Sequence, residues 1–357
     1  MLAMESSSLL QRRKNFVGPK LRIDCKLTKR WAATVAPCTA STASTSASDG
    51  SSATCDTSSE SVEEQRHPTL SSAEFRGHSV DDADAAIRLY EKWIDAYQPF
   101  EQLGQGSAGV VYRAVRKADE KIVAVKIMRM HDDDEDHRMA AQKEFEILRS
   151  LNHPCIIKAL DLVSFPMGAA LVMEFFQGLN LKSAVRQAPS RRLQEPVAQG
   201  IFSKLVQAVA HLHRNDIIHR DVKAQNVLVS TNFDDLRLID FNVAKSVNDG
   251  ALTMTGTVDY MPPEVLLGES PTAAGDIWAA GLCLYLMLCG KMPLDRNHFR
   301  SRYAFGVELS KGTPVQLPST VSGNVSGACK AVLWSCLQPD PKARLAANEL
   351  LIQRWIY

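Results

Sequence analysis

HRDVKAQN, residues 219–226, sets Asp221, Lys223 and Asn226 in one short loop, between a helical pattern ending at His213 and the strand-like run VLVS. Phosphoryl transfer asks little covalent chemistry of a protein. It needs an oriented hydroxyl, neutralised phosphate charge and oxygen ligands for a metal. Asp221 can accept a hydroxyl proton, Lys223 can neutralise a γ-phosphate, and Asn226 offers an amide oxygen to Mg²⁺. Asp240, fourteen residues beyond Asn226 in LIDFNVAK (238–245), adds the hard anionic oxygen that Mg²⁺ prefers. A solvated charged loop does not account for all four at this spacing.

Working outward toward the N-terminus, GQGSAGVV (104–111) has Gly104, Gly106 and Gly109 in G-x-G-x-x-G-x-V spacing. Strand-like runs lie on both sides and no helix opens after the third glycine. That excludes the dinucleotide fingerprint, and the missing GK[ST] excludes the Walker loop. A glycine hairpin lets backbone N–H groups approach phosphate oxygens, although alone it fits an ordinary flexible hairpin equally well. VAVK (123–126) puts Lys126 on an apolar strand, where a solvent-facing lysine would be unremarkable. To hold phosphates it needs a fixing carboxylate, for which Glu144 is preferred and Glu146 is the alternative.

The ordered part begins near Ser79. Ser79 and Asp82 resemble a capping box, and Ala83, Ile87, Tyr90, Ile94 and Tyr97 follow at helical spacing, so an amphipathic helix is predicted over 79–98. Strand-like runs follow at 100–104, 110–115, 121–128 and 170–176, with a helix over 138–151 and a turn at 152–154. Beyond Asn180 helical patterns dominate, over 196–214, 276–289 and 325–337. The expectation is an α+β chain with a small strand-rich lobe over about 99–176, a larger helical lobe over about 177–357, and a ligand cleft between them. Residues 1–78 are basic and rich in Ser and Thr, too poor in apolar area to offset ordering entropy, and are expected to be disordered. An organelle transit peptide is the other reading of that composition.

With 357 residues, 45% of them hydrophobic, and a formal charge of +1, the chain can fill a sizeable core and shows no global attraction to nucleic acid or anionic membrane. Eight cysteines include no CxxC pair, which argues for reduced thiols inside a cell, the cytoplasm being the expected compartment. The longest apolar run, 277–290, is too short to span a bilayer and reads as a buried helix.

Together these motifs resemble the ordered signature set of eukaryotic protein kinases: the glycine loop, VAVK, HRDVKAQN, DFN, TGTVDYMPPE (255–264), DIWAAG (276–281) and Arg344. The resemblance covers roughly residues 100–357 and implies a bilobal fold binding ATP and Mg²⁺. Leu103 and the glycines would roof the nucleotide with Val111. Ala124 and Leu228 would sandwich the adenine, Met173 would be the gatekeeper, and Glu174 to Phe176 the hinge. It implies that Glu264 pairs with Arg344, gives Arg220 and Asp276 structural roles, and makes Lys223 and Thr257 marks of a Ser/Thr rather than a tyrosine kinase. Protein substrates and an upstream activating kinase follow as partners, the latter acting on Thr253 or Thr255, with Arg220 and Lys245 to meet the phosphate. The chain stops where the helical lobe of the family ends, so control is expected in the loop, the N-terminal extension or a separate partner. Oligomeric state, subgroup and substrate stay open.

One position departs from the pattern. Asn242 stands where the family has glycine, a residue that supplies positive φ. Asn tolerates that conformation at a cost of about 1 kcal/mol, so an active enzyme with a stiffer pivot is expected. A pseudokinase scaffold is the competing reading. In relatives that prefer arginine near the target residue, acidic side chains commonly stand at the places of Asn180, Gln225 and Leu286. Here all three are uncharged, and a basic-substrate preference is not expected.

Overall fold

Period-two burial along the early strands decides which side chains reach the cleft. The computed structural model describes residues 95–106, 109–129, 135–165, 168–246, 256–311 and 316–356. Strands β1 (Tyr97–Gly106), β2 (Gly109–Arg116) and β3 (Lys121–Arg129) precede helix α1 (Glu135–Ser150), and β4 (Ala159–Phe165) and β5 (Gly168–Glu174) complete an antiparallel sheet in the order β1-β2-β3-β5-β4. Successive side chains of a strand point to opposite faces. On β3, Val123, Val125 and Ile127 join Tyr97, Tyr112 and Val172 in a small outer core, while Ala124 and Met128 belong to the main core. Lys126 shares their inner face, and is 6% exposed.

The second lobe starts with β6 (Leu179–Asn180), α2 (Leu181–Gln187) and α3 (Glu195–Arg214), followed by β7 (Ile217–Ile218), β8 (Val227–Val229), β9 (Leu236–Leu238) and β10 (Lys245–Ser246). Then come α4 (Pro263–Leu266), α5 (Ala273–Cys289), α6 (Arg302–Ser310), α7 (Ser319–Ser322), α8 (Gly327–Cys336) and α9 (Ala347–Leu351). Every residue of α5 from Asp276 to Leu288 is buried, which is why its sequence is apolar on all sides. Among the described residues no helix is long and apolar enough to cross a membrane.

The sequence-based expectations need two corrections. The helix predicted over 79–98 lies outside the described residues up to 94, and its end is misplaced. Only Asp95 and Ala96 are helical, and Tyr97 and Gln98 already belong to β1. Tyr97 fits the helical period, but burial beside Tyr112 in the outer core places it in the sheet. Strand β4 was not anticipated. A register shift between Ala159 and Asp161 breaks the alternation by which a strand announces itself. The expected disorder of 1–78 falls wholly outside the described residues.

His153, in the turn before β4, stacks on His211 of α3 with ring centroids 5.0 Å apart. Burial, then the charges of His211 and Arg214, holds the His153 pKa down, and burial with Arg214 does the same at His211. Below about pH 6.5 the unfolded chain takes up protons that the folded rings refuse, so this stability is present above that pH and lost as pH falls. The melting temperature should drop between about pH 7.5 and about pH 5.5, and drop less in His211→Phe, which keeps the stacking without the titration.

Candidate active site

Lys126 Nζ reaches both oxygens of Glu144, at 2.9 and 3.0 Å, and Oδ1 of Asp240 at 3.0 Å. The choice between Glu144 and Glu146 follows from helical phase. Ala141, Glu144 and Leu148 occupy the buried face of α1, whereas Glu146 is two residues, about 200°, away on the exposed side, where it accepts from Gln142. Burial works against the Lys126 charge, but Glu144 and Asp240 more than offset it and its pKa rises. Asp240 is likewise opposed by burial, yet Lys126 holds its carboxyl below the usual range, so both groups are ionised at neutral pH.

The glycine loop is the β1–β2 hairpin. Gly109 has φ +135°, and a Cβ there would stand 2.1 Å from the Ile127 carbonyl oxygen, so close strand packing requires this glycine. A Cβ on Gly104 or Gly106 would meet nothing within 4 Å, so these two glycines border open space. Ala124 pairs with Met173 across the sheet, and Leu228 with Arg237 on the β8–β9 hairpin. Met173 is buried, Val111 and Phe176 are half-buried against the main core, and Leu103 is exposed.

The loop between β7 and β8 hangs on Asp276. Its Oδ1 accepts from Arg220 N at 2.9 Å, and its Oδ2 from His219 N at 2.9 Å, with His213 Nε2 at the same distance. Burial opposes the negative charge, while the hydrogen bond and charge of His213, the His219 charge and the His219 N–H together depress the Asp276 pKa. Arg220 takes a positive φ of 65°, turning the chain so that Asp221 faces Lys223. Asp221 Oδ2 accepts from Lys223 Nζ at 2.5 Å and Asn226 Nδ2 at 3.1 Å; Oδ1 accepts from Thr257 N at 2.9 Å and Thr257 Oγ1 at 3.0 Å. Lys223 also donates to Thr257 Oγ1 at 2.9 Å. Gly256, with φ +108°, lets this segment pass where a Cβ would sit 2.6 Å from the Arg220 carbonyl oxygen. Thr253 and Thr255 lie outside the described residues.

Asn226 commits its amide nitrogen to Asp221, so the atom it can offer a cation is Oδ1. Asp240 stands two residues past the end of β9, and Ile239 N between them donates to Asn226 O at 2.9 Å, which joins the two oxygen donors through one backbone contact. A carboxylate and an amide oxygen, completed by phosphate oxygens and water, fit the hard, incompletely caged ligand set of Mg²⁺.

The left-handed residue of the pivot is Asp240, with φ +68°; Asn242 has no positive φ. The stiffness expected of Asn242 is therefore absent here. A turn from Phe241 to Ala244, with Ala244 N donating to Phe241 O, carries Asn242 in ordinary backbone, and the Phe241 ring packs against His219 at a tilt of 59° with centroids 4.7 Å apart. Asn242→Gly should change turnover by no more than a few-fold, and unfolding should show a loss of about 0.5–1 kcal/mol from added unfolded-chain freedom. A gain of several orders of magnitude in turnover would mean that Asn242 cripples the pivot.

Glu264 and Arg344 form a two-pronged buried pair, with both N···O distances 2.6 Å. Two features escaped the sequence reading. His219 was quoted only as part of its motif, yet it is fully buried and accepts from Asp221 N, a role that its position after two apolar residues hints at. Arg237 bonds Glu174 at 3.0 Å and lies over the Phe176 ring at 5.0 Å, tying the connecting segment to β9; nothing local in the sequence announces it.

The chain is 30% identical over 266 residues to serine/threonine-protein kinase 33 of Bos taurus and 32% over 266 residues to serine/threonine-protein kinase DCLK3 of Homo sapiens. It is 29% identical over 262 residues to the SNF1-related protein kinase catalytic subunit alpha KIN12 of Arabidopsis thaliana. These matches take in 71%, 73% and 72% of this chain but 54%, 40% and 51% of the relatives, so the chain spans about half the length of such proteins. The protein kinase domain model matches residues 97–356, opening on the first residue of β1. With the bilobal α+β architecture and the Lys126–Glu144–Asp240 cluster, that match makes the chain a member of the protein kinase family.

Proposed function

We propose that the chain transfers the γ-phosphate of ATP to serine and threonine hydroxyls of protein substrates. The observation that carries this reading is Lys126 bonded at once to Glu144 and Asp240, because a kinase site works only when its lysine–glutamate pair and its metal-binding aspartate are in place together. Lys126 positions the α- and β-phosphates. Asp221 orients the acceptor hydroxyl and takes its proton, while Lys223, steadied by Thr257, balances charge on the transferring group. Asp240 and Asn226 would hold Mg²⁺, which would supply charge neutralisation to the phosphate oxygens. Ala124, Leu228 and Met173 enclose the adenine along Glu174 to Phe176, with Leu103 and Val111 above it. An upstream kinase acts on Thr253, or next on Thr255, in the segment between β10 and Gly256.

The scaffold reading would be favoured by loss of one of these ionic groups, and none is lost. The test is incubation of the full chain with labelled ATP, Mg²⁺ and a generic protein substrate, beside Asp221→Asn. Acid-stable label on serine or threonine is expected only from the unmodified protein. Equal label from both proteins, or none from either, selects the scaffold, and label confined to tyrosine overturns the assigned acceptor class.

A further inference from the structure

The segment joining α5 to α6, KMPLDRNHFRSR (291–302), carries Lys291, Arg296, Arg300 and Arg302 against Asp295 alone. All five are exposed. Among the described residues, Lys291, Arg296 and Arg300 form no ion pair with a carboxylate. Asp295 is turned back on its own backbone, where Oδ1 accepts from Asn297 N at 3.0 Å and caps the short turn Arg296–His298. The next acid along the chain, Glu308, is taken by Lys311 at 2.6 Å. Among the described residues, the positive charge of Lys291, Arg296 and Arg300 is therefore uncompensated.

Packing holds the end of this segment in place. Phe299 packs on the buried Phe305 with ring centroids 5.2 Å apart, fixing the end of the segment to α6. Helix α6 in turn packs on α4, which follows within a few residues the Thr257 that bonds Asp221. The sites that would read a basic substrate offer no negative charge: Asn180 spends Oδ1 capping α2, and Leu286 is buried in α5.

We propose that Lys291, Arg296 and Arg300 form a docking surface for Asp and Glu side chains in the polypeptide flanking the acceptor hydroxyl. This inference rests on the kinase reading above and names its substrate class. Exposed cations attract carboxylates at modest strength each, and several acting on one extended peptide add up. A peptide suits the site better than nucleic acid or an anionic membrane, since the segment leads into α6, which packs on the α4 that follows Thr257, and the chain as a whole carries only +1.

The test uses the full chain and three peptides sharing one serine, flanked by Glu, by Gln or by Arg, at low ionic strength. The Glu peptide should exceed the Gln peptide about ten-fold in kcat/KM, chiefly through KM, and the ratio should shrink with added salt. In the triple variant Lys291→Gln, Arg296→Gln, Arg300→Gln, which removes only exposed charge, the ratio should fall to about one, with melting temperature reporting that the fold is kept. A ratio near one in the unmodified chain, preference for the Arg peptide, or a ratio that survives the triple variant overturns the proposal. If no peptide is phosphorylated, the kinase reading fails, and fluorescence anisotropy of the labelled Glu peptide still decides the docking surface by comparing the unmodified chain with the triple variant. Binding of phosphatidylserine vesicles or a single-stranded oligonucleotide through these residues, without binding of the Glu peptide, assigns the patch elsewhere and overturns it too.

Discussion

Asp221→Asn is expected to lower kcat by about a hundred- to ten-thousand-fold, the range associated with loss of a positioned general base. The carboxylate accepts four hydrogen bonds: two from Thr257 on Oδ1, and those of Lys223 and Asn226 on Oδ2. The amide keeps its shape and retains an oxygen for Thr257. Its NH₂ then faces Lys223 Nζ and Asn226 Nδ2, which are both donors. The variant thus loses the proposed proton acceptor and also leaves Asn226 without one of the two partners that orient it. Nucleotide binding should change far less, because Lys126, Glu144 and Asp240 are untouched. The expected pattern is a collapse of kcat with KM for ATP within a few-fold, the signature of an interaction made in the transition state. Single-turnover measurements with labelled ATP would separate chemistry from binding. A variant retaining more than about a tenth of wild-type turnover would remove Asp221 from its assigned role.

What the sequence disclosed about this site depended on how local each piece is. Asp221, Lys223 and Asn226 share a loop short enough that spacing alone places them together, and Thr257 is fixed by a glycine that only a close backbone crossing explains. Glu144 needed one further step. The phase of α1 separates it from Glu146, because a carboxylate on the apolar stripe must have a buried cation to meet. Asn242 shows where pattern reasoning fails. The glycine position suggested positive φ there, but the left-handed turn is taken at Asp240, two residues earlier, where it aims the carboxylate at Lys126. Arg237 was invisible because its role depends on Glu174, a partner from a distant element, and Tyr97 was assigned to the wrong element because it fits the helical period of the preceding stretch while its packing partner, Tyr112, comes from β2.

Arg344→Ala should cost about 3–5 kcal/mol of folding stability, because it leaves Glu264 charged and buried without its partner. The side chains are 0% and 5% exposed. Beyond the two bonds to Glu264, the guanidinium donates to the carbonyls of Gln338, Pro339 and Ala274 and lies over the Trp278 ring at 5.0 Å. All five N–H groups therefore have acceptors, the condition under which a buried ion pair holds its place. For a domain of this size the loss corresponds to a melting temperature lower by on the order of 10 °C. Arg344→Lys should recover little, since an ammonium cannot serve both carboxylate oxygens and three carbonyls from one plane. Activity should fall with stability, because the Ala274 carbonyl lies two residues before Asp276, whose carboxylate holds His219 and Arg220. The double variant Arg344→Met, Glu264→Leu separates the pair from its surroundings. It should be less destabilised than the sum of the single changes, by about 1–3 kcal/mol, since no charge is then left stranded. Chemical denaturation of the four proteins measures this cycle, and additive losses would show that Arg344 acts through its carbonyl partners and Trp278 rather than through Glu264.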